Sequence, residues 1–272
     1  MDLMKQNIIY NKFFLIGLII KLFLIIFFVP EIHIELFMPF LIDWINDPNL
    51  IIWNKELMTN NISPFPYGII MFCIFIPLTS IFYLTNYIFD LNNLLFVSNL
   101  FLKLTLLFFD FFALVILIKI FTKIKNEIIL YYWLSPLVIF ITYWHGQLDI
   151  IPVSLLLLSL FYLKNHSLNR SIVIIGLSIV AKHSMIICVP FILIYLIKQK
   201  IDFNKIIKLM LYLILTIIFF EFPFLFNDGY HSLVINNQEI DKLYSMNIEM
   251  SKGNFVYLVP LIYLYYCIIF NA

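Results

Sequence analysis

The chain has 272 residues, of which 63% are hydrophobic and only 12% charged, and its formal net charge is +1. A soluble globular domain is nearer half apolar and about a quarter charged, so this composition excludes one. No basic tract or zinc-ligand spacing accompanies the near-neutral charge, and no nucleic-acid partner is expected.

Apolar runs long enough to cross a bilayer recur from end to end. They are continuous rather than alternating, which excludes a β-barrel. The expected fold class is all-α: a polytopic transmembrane helical bundle with short or broken helices. It forms a single domain over residues 1–272, with no separate soluble part.

The first span covers about Phe13 to Val29. Lys5 and Lys12 hold its start in the cytoplasm, and no small-residue cleavage site follows, so it is retained. Lys21 inside it is expected to snorkel or to face the interior. The first outer loop, about residues 30–66, carries Glu31, Glu35, Asp43, Asp47 and Glu56 against the single cation Lys55. Within it, "IELFMPFLIDWINDPNLIIWNKELM" places aromatic and aliphatic residues on one face. That predicts helices lying in the membrane interface, divided at Pro39 and Pro48. "SPFPYG" then leads into the next apolar run.

Residues 66–118 read as two spans broken at "DLNN". In the second, Lys103 and Asp110 lie seven residues apart, about two helical turns, and are expected to pair inside the membrane. Three basic loops follow: "KIFTKIKNE", "KNHSLNR" and "KQKIDFNKIIK". The positive-inside tendency puts all three in the cytoplasm. Ile128 to Trp144 and Ile150 to Leu163 then become a hairpin whose outer turn is "HGQLD". Ser171 to Ile197 becomes two short limbs turning near "AKHS". The parity does not close before Lys119, where an odd number of crossings is needed. Either a third short limb hides near Pro77 to Thr79 or one basic loop lies outside. A further span covers about Leu209 to Phe226. A polar outer loop, Asn227 to Gly253, and a last apolar run, Asn254 to Phe270, follow. Cys73, Cys188 and Cys267 have no ligand spacing and are expected to be buried small hydrophobes.

Ionisable residues at membrane depth are expensive, and each is a candidate site by default. Three clusters qualify: the acidic loop with Glu31, His33, Glu35 and Asp43; "HGQLD" with His145, Gln147 and Asp149; and "AKHS" with Lys182 and His183. Under this topology all three converge on the outer face. The set suits transfer from a lipid-phosphate donor. A carboxylate can take the proton of an attacking hydroxyl. Lysine and protonated histidine can meet charge on a departing phosphate. Gln147 and Asp149 can fix sugar hydroxyls. The bland alternatives are a structural Asp149–Lys182 ion pair, interhelical hydrogen bonds from His145 and Gln147, and Glu31 and Glu35 as ordinary solvated residues at a helix end.

"WLSPLVIFITYWHGQLDIIPVSLLLLSLFYL" resembles a stretch of the GT-C-fold membrane glycosyltransferases: NP, an apolar run, WGQ-x-D and a leucine-rich helix. "GLSIVAKHSMIICVPFILIYL", "FLKLTLLFFDFFALVILI" and "SPFPYG" are similar to neighbouring family elements, in family order over about residues 30–200. The resemblance implies an inverting hexosyltransferase, of mannosyltransferase type, using a polyprenyl-phosphate sugar and a glycan, lipid or protein acceptor. In that family a carboxylate of the first outer loop is the base. Glu35 is the first choice here, then Asp43 and Glu31. His145, Gln147, Asp149, Lys182, His183 and Tyr67, the last from "SPFPYG", would bind substrate. No resident metal or other cofactor is implied with certainty; a divalent cation stays open. Ser135 stands in place of the usual Asn, and His145 in place of a Gly-like residue. Family members continue with several more spans, so the expectation is a truncated copy, a partial sequence or a minimal member. The expected location is the bacterial inner (plasma) membrane, multi-pass, with the N-terminus cytoplasmic. The alternative reading is a non-enzymatic lipid-linked sugar translocase or membrane assembly subunit.

Overall fold

Helix starts and stops follow local chemistry. Helix α1 (Lys12–Phe27) begins at Asn11, whose side-chain oxygen accepts from the Phe13 and Phe14 amides, and ends where Phe28 turns extended ahead of Pro30. A π turn, His33–Phe37, runs directly into α2 (Met38–Asn46), and α3 is Ile52–Thr59. The computed structural model describes residues 9–49, 52–59, 65–89, 94–236, 245–252 and 254–271.

Helices α4 (Ile69–Phe89) and α5 (Leu94–Ile120) are long and apolar. A bent pair follows, α6 (Thr122–Trp133) and α7 (Pro136–Trp144), kinked by 46° where Ser135 caps the new start ahead of Pro136. Helices α8 (Ile150–Lys164) and α9 (Leu168–Ala181) form an antiparallel pair. Ser159 Oγ donates to the Ser171 carbonyl at 2.9 Å near one end, and Ser178 Oγ to the Pro152 carbonyl at 2.7 Å near the other. A 3-10 segment, His183–Cys188, leads into α10 (Val189–Lys198), then α11 (Phe203–Glu221) and the short α12 (Asp228–Tyr230). The described chain is mostly helical, as expected; one short antiparallel hairpin, β1 (Asn247–Ser251) and β2 (Asn254–Tyr257), precedes the last helix, α13 (Leu258–Asn271).

Two helical stretches, Ser98–Ile120 and Phe203–Phe224, are long and apolar enough to cross a membrane, and the bent pair is a third if counted as one span. Helix α11 shows the pattern. Ile206, Leu209 and Leu213 are buried against α9, while Leu211, Leu215 and Phe219 are exposed on the other side. A helix facing water carries polar residues on that outer side; from Leu209 to Phe219 every exposed residue of this one is apolar.

Hydrogen bonds sort the helix ends into two groups. At one end Asn11, ahead of α1, donates to Asn126 of the first basic loop, and Lys164 of the second donates to the Ile120 carbonyl of the first. His166, Asn169 and Arg170 share a cavity with Lys205, which adds the third. At the other end His33 meets Asn99 and the Gly146 carbonyl, and Lys182 meets Asp149. We call these the basic end and the site end.

This arrangement corrects several expectations. Helix α4 runs unbroken through Pro77 and Thr79, so no limb is hidden there; "DLNN" lies outside the described residues. The residue leading into α4, Gly68, bonds Ala181, and Phe82 packs on Phe101, both in the half that holds the site end. Of α4 and α5, only α5 contains a described stretch long and apolar enough to cross a membrane. The bent pair α6–α7 packs on α1 and α5 rather than on α8, which lies between α5 and α9. Lys103 does not pair with Asp110. It donates to the Leu24 carbonyl at 2.8 Å and to that of Phe28, closing the end of α1. Asp110 instead takes Lys21 at 2.6 Å, both fully buried, so Lys21 faces the interior. The cysteines are not buried: Cys73 is exposed and the other two half-buried, because their helix faces point outward.

Candidate functional site

The site begins at a tight crossing. The Gly68 amide donates to the Ala181 carbonyl at 2.9 Å, and a Cβ at position 68 would lie 1.8 Å from the Val180 oxygen. Only glycine allows that approach. It fixes Tyr67 against the end of α9. The Tyr67 ring is buried between Phe65 and Phe37, and its hydroxyl reaches Gln147 Oε1 and Asp149 Oδ1, each at 3.1 Å. The Leu148 amide in turn donates to that hydroxyl at 3.2 Å.

"HGQLD" forms the turn that presents these partners. Gly146 has φ +84, and a Cβ there would lie 2.7 Å from His33 Nε2. The turn is thus clamped by His33, whose Nε2 contacts the Gly146 carbonyl at 2.7 Å. A neutral ring donates there and offers Nδ1 as an acceptor toward the Asn99 amide, 2.8 Å away. Asn99 with its amide N and O exchanged supplies the donor, which also satisfies its otherwise unpartnered Nδ2. Burial disfavours the charged imidazole and lowers its pKa to about 4.

Asp149 occupies the N-cap position of α8, yet its side chain caps nothing. An Asp there ordinarily accepts from the first helix amides. Here both oxygens accept from Lys182 Nζ, at 2.7 and 2.9 Å. Lys182 can reach because the chain breaks out of α9 at that residue, with extended φ −149 and ψ 114. Its Nζ also lies 5.3 Å from the centre of the Tyr67 ring. The pair is part-exposed, at 17% for Lys182 and 36% for Asp149, so a ligand can reach it.

One residue further on, His183 Nε2 contacts Glu221 Oε1 at 2.5 Å, with Tyr230 edge-on to the imidazole. Glu221 was missed in the sequence reading. It is the only acid in the apolar run from Leu209 to Phe226, and a lone carboxylate in such a run is a signal in itself.

The structure thus joins Tyr67, Gln147, Asp149 and Lys182, and sets His183 beside them. It does not join the rest. His145 is exposed at the turn, with its ring near Phe140. The π turn buries His33 and Phe37 and leaves Glu35 exposed on its other side, and Glu31 is exposed as well. Asp43 is half-buried on α2. None of these three carboxylates makes a side-chain hydrogen bond or ion pair with a described residue. Among the described residues no three His, Cys, Asp or Glu side chains gather as a metal-binding group. No family model, curated protein or solved structure matches the chain.

Proposed function

We propose that this protein is a membrane-embedded glycosyltransferase of GT-C type. It moves a hexose, mannose by the family resemblance, from a polyprenyl-phosphate sugar to an acceptor on the membrane face opposite the basic loops. The observation that carries the reading is the part-exposed Lys182–Asp149 pair, held by Tyr67 and flanked by Gln147, at the bundle end away from the basic loops. For stability alone, packed hydrophobes would serve as well as this pair without the broken helix and the forfeited cap.

The reaction is a single displacement. Glu35 takes the proton as the acceptor oxygen forms its bond to the anomeric carbon. The bond from that carbon to the phosphate oxygen breaks with inversion. Charge growing on the polyprenyl phosphate is met by Lys182, with His183 beside it, while Gln147 and Asp149 hold sugar hydroxyls. Asp43 and Glu31 are the next candidates for the base.

The test uses the purified full chain in lipid vesicles with a polyprenyl-phosphate hexose, reading release of polyprenyl phosphate. Glu35→Gln should lower turnover by about 10²–10⁴ with binding retained. Lys182→Ala should lower it by about 10²–10³. Full activity in Glu35→Gln removes that residue from the mechanism. The exposure of Glu35 away from the cluster favours a second reading, a non-enzymatic lipid-linked sugar translocase or assembly subunit. Donor binding with no hydrolysis or transfer in any acceptor mixture would establish it.

A further inference from the structure

We infer that the basic end holds a binding site for a phosphate group, supplied by an anionic phospholipid headgroup. The site is a surface cavity of about 390 Å³ lined by His166, Ser167, Asn169, Arg170 and Lys205. It adjoins a second of about 340 Å³, where Lys205 is joined by Lys208 and Asn204. Volumes of this order suit small ligands and headgroups.

Three independent features converge here. The first is charge without compensation. No carboxylate lines either cavity, and Arg170, Lys205 and Lys208 form no ion pair with any described residue. The nearest acid in sequence, Asp202, is turned back to accept from the Lys205 amide of its own helix. Unpaired cations around a concave surface focus a positive field.

The second feature is free backbone donors. Ser167 stands at the N-cap of α9, a 14-residue helix, and its side chain caps none of the first amides. Those amides, and the positive end of the helix dipole, lie at the cavity lined by Ser167, Leu168, Asn169 and Arg170.

The third feature is strain. Among the described residues only His166 and Lys200 hold positive φ without being glycine, at 57 and 55. Both end helices in the same way. Ser167 donates to the Tyr162 carbonyl and His166 to that of Leu163; Ile201 donates to Leu196 and Lys200 to Ile197. This cap ordinarily takes glycine. Here both loops of the basic end carry a cationic or cation-forming side chain at the strained position, and His166 lines the cavity. Such strain persists where the side chain has work to do.

The inference does not depend on the glycosyltransferase reading. The test is native mass spectrometry of the detergent-purified full chain with added phosphatidylglycerol or zwitterionic phosphatidylcholine, with inorganic phosphate in a separate arm. Phosphatidylglycerol should be retained in preference to phosphatidylcholine. The double variant Arg170→Gln/Lys205→Gln should weaken its retention by about 30-fold, the effect of two surface cations on an anionic lipid. Lys123→Gln/Lys125→Gln removes equal charge from the same end but outside the cavity, and should leave retention unchanged. Both variants should keep the wild-type melting midpoint. Competition by inorganic phosphate supports the phosphate group as the recognised moiety. Equal loss in the two double variants, or equal retention of the two lipids, would overturn the site in favour of a diffuse field. Binding of inorganic phosphate without phosphatidylglycerol would overturn the lipid source.

Discussion

Asp110 takes three donors on its two oxygens: Lys21 Nζ at 2.6 Å and Tyr143 at 2.7 Å on one, Tyr132 at 2.9 Å on the other. Lys21 Nζ also sits 3.3 Å from the centre of the Trp133 ring. Each member satisfies another, which is the condition for burying charge at all. Removing one partner leaves the other charged and alone. Asp110→Ala should therefore lose about 3–5 kcal/mol, whereas Lys21→Met/Asp110→Leu should lose far less. Unfolding in detergent with the two single variants and the double would show whether the charges are coupled. His33 gives a pH-dependent counterpart. Its folded-state pKa of about 4 lies below the ordinary 6.5, so the unfolded chain binds the proton first as pH falls. Stability from this residue is intact above pH 6.5 and drops by about 3 kcal/mol on the way down to pH 4. In His33→Gln that part of the pH dependence should vanish; an unchanged slope would mean other groups carry it.

At the scale of elements, the site depends on where helices start and stop more than on what they contain. Gly68 shows this most directly, since an added methyl meets a backbone carbonyl that cannot turn aside. Gly68→Ala should lose several kcal/mol, beyond the ~1–3 typical of overpacking, because α4 or α9 must shift. Gly176→Ala in α9 meets only the Thr216 side chain, at 2.9 Å, and should lose clearly less. Melting midpoints of the pair would decide; equal losses would mean the crossing is not rigid. The same scale explains what was legible. "HGQLD" stood out because polar residues interrupt an apolar run, and "AKHS" because a cation followed by an imidazole does. The partner Glu221 stood 38 residues away and drew no notice. Lys103 was assigned to Asp110 because helical spacing puts them on one face. Spacing knows nothing of a second helix, and the open carbonyls at the end of α1 offered Lys103 a better partner.

The whole molecule is polarised. The three basic loops and Asn11 gather at one end, while Tyr67, Asp149, Lys182 and His183 gather at the other. With the protein in a sealed membrane, cysteines placed at Lys123 and at His145 should react with an impermeant maleimide from opposite sides. Labelling of both from one side would place the two ends on the same face. Mainly helical class, two of the apolar stretches long enough to cross a membrane, the basic loops and the two polar interruptions were all legible in the chain. Each of these is written in local composition and period. Packing of the helices was needed to show that Lys21 rather than Lys103 neutralises Asp110, and that Glu221 stands beside His183. Those are choices among partners far apart in the chain. They are settled by which buried charge can be satisfied at the least desolvation, a quantity that exists only once the helices have packed.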